Sequence, residues 1–221
     1  MKSIILDMGN VICYPTTGNW LITPKFEEYI KQHNINKDKI INSFEGNYDI
    51  LDRPVARIED EVYMFIDFFN KSLNKTDLNF TEEDIRNIAK EITYSTDKYK
   101  VFNNVKEELE ELKKNNKLYM LSDNWPCGKY LMDYWDLSKY FEQIYISSIY
   151  GIKKDDKRFF QKPIYDHNLS KDHIIFVDDS DYCLDTSSAM GIKSIKMDRY
   201  KVVDSKKYPV INNLFELKKH M

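Results

Sequence analysis

The sequence predicts an α/β fold: a Rossmann-like, three-layer parallel sheet core with an inserted helical subdomain. Three observations carry that prediction. Five aliphatic runs, each too short for a helix, alternate with helical patterns along most of the chain, and such alternation lays strands side by side in parallel with helices on both faces. The gap between the first run and the second is far too long for one crossover and reads as helix. With 221 residues the chain has room for one sizeable domain carrying a smaller insert.

Taken in chain order, the first strand is 3–6, inside "IILDMGNVI", where the aliphatic run delivers Asp7 to a Gly-Asn turn. The segments "KFEEYIKQ", "DKIINSF", "VARIEDEVYMFIDFFNKSL" and "TEEDIRNIAKEI" then make about four helices with no strand among them. In the third, Ile58, Val62, Phe65, Phe69 and Leu73 share one stripe; in the fourth, Thr81 is the N-cap above Ile85, Ile88 and Ile92. The remaining strands are 118–121, 143–146, 174–177 and 193–197. Ahead of 118–121, "NVKEELEELKKNN" has Val105, Leu109 and Leu112 on one face, acids in its early turns and lysines in its last, as a helix dipole favours. The C-terminal "INNLFELKKHM" reads as a last helix on the core. The expected division is a core of 1–15 and 97–221 with a helical cap at 16–96.

Composition narrows the partners. Hydrophobic residues at 42% and charged residues at 31% are ordinary for a globular chain, and the net charge of −3 is small, with both signs interspersed. That argues against nucleic acid or an anionic membrane and leaves a small molecule as the expected partner. No basic leader precedes a long apolar segment, and no stretch approaches bilayer length, so the expected location is cytoplasmic. Cys13, Cys127 and Cys183 are odd in number and widely spaced, which predicts free thiols. The sequence leaves the oligomeric state open.

Ligands of an open parallel sheet bind along the edge where the strands end. There the chain places Asp7 after the first strand, Ser122 in "LYMLSDNW", Lys154 in the loop after "QIYIS", and Asp178 and Asp179 in "IIFVDDS". Three acids brought so close push one another's pKa values up, and a divalent cation resolves the conflict. Mg²⁺ suits such a site, because it takes oxygen ligands and is held by one or two carboxylates plus a substrate phosphate. Ser122 and Lys154 would hold the remaining phosphate oxygens, with backbone N–H groups of Met8, Gly9 and Asn10 as further donors and Asn124 and Asn10 as second-rank contacts. Plainer readings compete. Asp178, Asp179 or Ser122 could be helix caps, and Lys154 stands beside Lys153 in what could be a solvated basic loop. Tyr14, Trp20 and Trp125 either line the cleft between helical unit and core or simply pack. His33, His167, His173 and His220 lack metal spacing and read as surface residues.

Four stations in order, "ILDMGNV", "YMLSDN", "SSIYGIKKDDKRFF" and "IIFVDDSDYCLDTSSAMGI", resemble the motifs of the haloacid dehalogenase superfamily of aspartate-nucleophile hydrolases, in the branch with a helical cap after the first motif. The resemblance implies a magnesium-dependent phosphatase acting on a small phosphate ester. Asp7 would form an aspartyl-phosphate, and Mg²⁺ would be held by Asp7, the Gly9 carbonyl and Asp179, with Asp178 acting through water. Ser122 and Lys154 would stabilise the transferring group.

The chain departs from the family pattern twice. Asp155 follows Lys154 where a proline is usual, and Gly9 stands where most of these phosphatases carry a second aspartate, the general acid. Losing such an acid forfeits about 10²–10⁴ in rate. Three outcomes stay open: a substrate with a good leaving group, such as a sugar 1-phosphate; a substitute side chain from cap or loop; or a slow or non-catalytic relative. The Asp-x-Gly-Asn-Val form resembles a branch that includes sugar-1-phosphate hydrolases, which favours activity. A metal-free dehalogenase is the rival enzyme. That variant has Ser-Ser-Asn at the fourth station and an early cap arginine, whereas this chain has Asp178-Asp179-Ser180 and its first arginine is Arg53.

Overall fold

The first strand explains the architecture around it. β1 (Ser3–Leu6) buries Ile4, Ile5 and Leu6 completely, which requires partners on both edges and cover on both faces. In the computed structural model, which describes residues 1–74, 78, 80–202 and 207–221, it receives all of these. The remaining strands are β2 (Cys13–Pro15), β3 (Tyr99–Val101), β4 (Lys117–Ser122), β5 (Gln143–Ile146), β6 (Ile174–Asp178), β7 (Lys193–Met197) and β8 (Val210–Ile211). A six-stranded sheet runs in the order β5-β4-β1-β6-β7-β8, parallel throughout. The helices are α1 (Pro24–Gln32), α2 (Lys37–Ser43), α3 (Ile58–Leu73), α4 (Glu82–Tyr94), α5 (Val105–Lys113), α6 (Pro126–Tyr134), α7 (Ser147–Tyr150), α8 (Lys157–Asp166) and α9 (Asp181–Ser188).

Because side chains alternate across a strand, the sheet divides its aliphatic residues between two cores. Ile4, Leu6, Leu118, Met120, Ile175 and Val177 pack with Leu109 and Leu112 of α5. Ile5, Tyr119, Leu121 and Phe176 pack with Phe159 and Phe160 of α8 and Leu184 of α9. Helices α1 to α4 enclose a third core built on Phe26, Phe44, Phe65, Phe69, Leu73, Ile85 and Ile92. Thr81 caps α4 in a reciprocal capping box with Asp84. The helical layer meets the sheet layer through a few directed contacts. Val55 N–H donates to the Ser148 carbonyl at 2.9 Å, the Trp125 indole N–H to the Leu51 carbonyl at 2.9 Å, and Cys127 N–H to Glu61 Oε2 at 2.8 Å.

The structure corrects the sequence reading in two places. The chain leaves and re-enters the sheet layer through an antiparallel ribbon of β2 and β3, whose three-residue strands are too short to show any period. The C-terminal segment is not an α-helix. Ile211 pairs with Met197 as part of β8, and Leu214–His220 is a 3₁₀ helix whose buried Leu214 and Leu217 are three residues apart, the spacing that eclipses side chains in that geometry. The three cysteines are buried and free. Among the described residues no helix is long and apolar enough to cross a membrane.

Candidate active site

β1 sits between β4 and β6, so the chain changes direction around it and the residues leaving these three strands share one edge. Asp7 N–H donates to the Val177 carbonyl at 3.0 Å, which extends the sheet register one residue past β1. Ser122 closes β4 and Asp178 closes β6. Asp7, Ser122 and Asp178 are 6%, 2% and 0% exposed. Lys154 comes from another direction. Gly151, at φ 64°, ends α7 in the left-handed region that favours glycine. The chain then turns back until Lys154 N–H donates to Asp123 Oδ1 at 3.0 Å. The Lys154 ammonium lies 2.6 Å from Asp178 Oδ2, as an aligned hydrogen bond, and 2.8 Å from Asp7 Oδ1, as an ion pair without that alignment.

The rest of the acidic edge is held in place by its own loop. Asp178 Oδ1 accepts Ser180 N–H at 2.8 Å, so both of its oxygens are engaged. Asp179 Oδ2 accepts the Asn10 amide at 2.9 Å, and Asn10 itself takes a left-handed φ of 52° that asparagine tolerates. Asn124 Oδ1 accepts Trp125 N–H at 2.8 Å. A Cβ on Gly128 would stand 2.9 Å from the Asn124 amide nitrogen, so glycine is required there for Asn124 to lie against α6.

Charge is unbalanced at this edge. Carboxylate oxygens of Asp7, Asp178 and Asp179 all lie within 4.8 Å of one another, and among the described residues Lys154 is the cation paired with Asp7 and Asp178. Burial pushes Asp178 up to about 7; Lys154 opposes that shift, and the charges of Asp7 and Asp179 add to it. Burial and then the charge of Asp7 raise Asp179 as well. Burial would lower the Lys154 ammonium, but Asp178 and Asp7 outweigh it and hold the group well above its ordinary value. A cluster that holds protons this way has an electrostatic place for a further positive charge.

The acidic edge and the helical layer together bound a cleft of about 500 Å³, lined by Asp7, Gly9, Asn10, Ser122, Asn124, Lys154, Asp178 and Asp179 on one side and by Trp20, Leu21, Tyr48 and Trp125 on the other. Met8, expected here for its backbone N–H, does not line the cleft with its side chain. Its side chain is wholly buried in the core, and its carbonyl accepts the N–H groups of Ile12 and Cys13. The N–H of Asn10, expected as a phosphate donor, is already given to the Cys13 carbonyl at 2.7 Å. Ser122 is not a helix cap, since α6 begins at Pro126 with Trp125 in the cap position. Lys154 rather than Lys153 is the buried amine; Lys153 pairs with Asp52 at the surface. Tyr14 packs on Phe102, ring centres 4.7 Å apart, outside the cleft. The sequence reading passed over Asp123, which takes the backbone N–H of Lys154 and faces the Tyr182 hydroxyl at 3.4 Å. An acid directly after a strand-end serine was the signal that could have found it.

A family model for the haloacid dehalogenase-like hydrolases matches residues 1–183. The chain belongs to that family. No curated protein sequence matches the chain significantly, but solved structures share its fold along nearly the whole length. The Bacillus subtilis protein YfnB, in a structure bound to magnesium, aligns with a TM-score of 0.71 at 14% identity, over 99% of this chain and 97% of that one. A HAD phosphatase from Thermococcus onnurineus gives 0.68 at 19% identity over 100% and 97%. The L-2-haloacid dehalogenase from Xanthobacter autotrophicus gives 0.67 at 13% identity over 99% and 97%. At these identities the hydrolase shares its fold with proteins of different chemistry.

Proposed function

We propose that this hydrolase is a magnesium-dependent phosphatase that acts on a small phosphorylated metabolite, with sugar phosphates among the candidates, through an aspartyl-phosphate on Asp7. The observation that carries the reading is the meeting of three carboxylates with one buried ammonium at the sheet edge, beside the Ser122 hydroxyl and open to a substrate-sized cleft. The donor set fits magnesium: hard carboxylate oxygens in negative excess, with Asp178 already saturated by Lys154 and Ser180 and therefore suited to act through water. Asp7, Asp179 and the Gly9 carbonyl would hold the ion directly. When bound, it supplies charge neutralisation for the phosphoryl oxygens.

The chain's own residues do the rest. Asp7 attacks phosphorus in line with the ester oxygen, and the buried ammonium of Lys154 orients the attacking carboxylate while donating to a phosphoryl oxygen. Ser122 donates to another. Asn10 steadies Asp179, and Asp123 fixes the backbone that presents Lys154. The helical unit at 16–96 acts as a cap over a core of 1–15 and 97–221 and excludes bulk water from the covalent step. A dehalogenase is disfavoured, because without a metal Asp178 and Asp179 would set two acids beside the nucleophile with the single Lys154 ammonium to offset all three.

The test is phosphate release from a panel of esters that includes sugar 1-phosphates, with and without Mg²⁺. Turnover that needs both Mg²⁺ and Asp7 supports the proposal. Metal-independent halide release from 2-haloacids, or phosphate binding without turnover under all conditions, overturns it.

A further inference from the structure

Gly9 has an ordinary negative φ, since it is absent from the left-handed residues among those described, so backbone strain does not account for it. What lies next to it is informative. A Cβ at position 9 would stand 3.4 Å from Cη2 and Cζ2 of Trp20 and 3.7 Å from Asp7 Oδ2. The benzo edge of an indole and the Asp7 carboxylate therefore both border the space that a side chain at position 9 would enter, and both line the cleft. The ring is braced from behind by Tyr99, which packs edge-on at 4.9 Å and donates its hydroxyl to the Trp20 carbonyl at 3.4 Å.

Other proton-bearing groups around the cleft are engaged elsewhere. Lys154 is held by two carboxylates, Asp52 is paired with Lys153, Asp123 is taken by Lys154 N–H and Tyr182, and the Tyr99 hydroxyl faces Trp20. With Ser122 assigned to the phosphoryl oxygens, Tyr48, which is 48% exposed, and Ser180 are the hydroxyls on the cleft with no such engagement among the described residues.

We infer that Trp20 is a specificity-determining residue: it gives the leaving group an aromatic wall in place of a proton donor. The hydrolase thereby selects phosphate monoesters whose leaving group departs as a stable oxyanion and lays an apolar face on the indole. This rests on the phosphatase reading and deepens it. As the bond from Asp7 oxygen to phosphorus forms, the ester P–O bond breaks with both electrons going to the leaving oxygen, which then takes its proton from water. In the second step water adds to phosphorus, Asp7 leaves as a carboxylate, and the proton released restores the balance. Aryl and anomeric glycosyl phosphates share this leaving-group chemistry; a primary alkyl phosphate does not.

The test is kcat/KM for a series of substituted phenyl phosphates, a hexose 1-phosphate and a hexose 6-phosphate, all with Mg²⁺. The inference expects a fall of about 10²-fold or more as the leaving phenol weakens towards an ordinary pKa of about 10, since nothing protonates it. The hexose 6-phosphate should be the poorest substrate, and whichever of the other two classes is faster identifies the source. A flat profile across the phenols overturns the inference while leaving the phosphatase reading intact; no turnover of any ester overturns that reading instead. Tyr48→Phe should leave the profile unchanged, and a steeper profile in that variant would make Tyr48 the proton donor and overturn the inference. Binding gives a second readout without turnover. Trp20→Ala should weaken phenylphosphonate about fivefold with ethylphosphonate unaffected, and Trp20→Phe should restore it. Equal weakening of both phosphonates in Trp20→Phe would reduce Trp20 to packing and overturn the inference.

Discussion

Two clusters of buried charge lie within reach of the loop that follows β1, and they are built on opposite rules. Arg199 and Glu108, 5% and 2% exposed, meet fork to fork, with Nη1 to Oε1 at 3.0 Å and Nη2 to Oε2 at 2.7 Å. The spare guanidinium donors go to the Val11 carbonyl at 3.1 and 2.8 Å. One positive charge meets one negative charge, both carboxylate oxygens are taken, and the result pins the loop. Around Lys154, three carboxylates face a single ammonium. Parity marks a pair that serves the fold. Surplus leaves an electrostatic place for a further positive charge.

That contrast can be broken experimentally. The largest effect is expected at the proposed nucleophile: Asp7→Asn should lower phosphate release by more than about 10³-fold, with the thermal unfolding midpoint unchanged or raised, because a like charge has left the cluster. Removing half of the balanced pair should do the reverse. Arg199→Met is expected to cost about 3–5 kcal/mol of stability by stranding Glu108, whereas Arg199→Met with Glu108→Leu should recover most of it. Urea titrations give both values, and an equally unstable double variant would mean that the loop needs the charges themselves.

Smaller effects sharpen the picture. Saturating Mg²⁺, at about 100 times its dissociation constant, should stabilise the wild type by about 2.7 kcal/mol. Asp179→Asn should need far more metal for the same gain, and Arg199→Met should show the same metal dependence as wild type. The smallest effect concerns Glu61, a third buried charge, which caps α6 through Cys127 N–H. Burial raises it from 4.5 to about 7, with Lys98 partly offsetting the shift. The folded state thus holds a proton that the unfolded chain releases between pH 4.5 and 7, and this contribution to stability falls as pH rises through that window. Glu61→Gln should remove up to about 1.4 kcal/mol per pH unit of that slope. An unchanged slope would place the titration elsewhere.

Much of the site was legible because strand ends are legible. Aliphatic runs stop where Asp7, Ser122 and Asp178 begin, and a parallel sheet brings such ends together whatever the loops do. In one dimension only the spacing from Gly151 favoured Lys154 over Lys153, and the left-handed turn at Gly151 is what swings that lysine inward. Asp123 was passed over because its value lies in orienting another residue's backbone. The N–H of Asn10 looked free in sequence but is used by Cys13, a contact that exists only once the loop has closed.

By itself the sequence determined the α/β class, the helical segments between the first two core strands and the acids that end the strands, because hydrophobic period and run length are local properties of the chain. Tertiary structure alone decided that an indole lies against Gly9, that Arg199 reaches back to the loop after β1, and that Asp7 and Asp178 share one ammonium. Those outcomes depend on distances between residues far apart in sequence, and no local pattern encodes such distances.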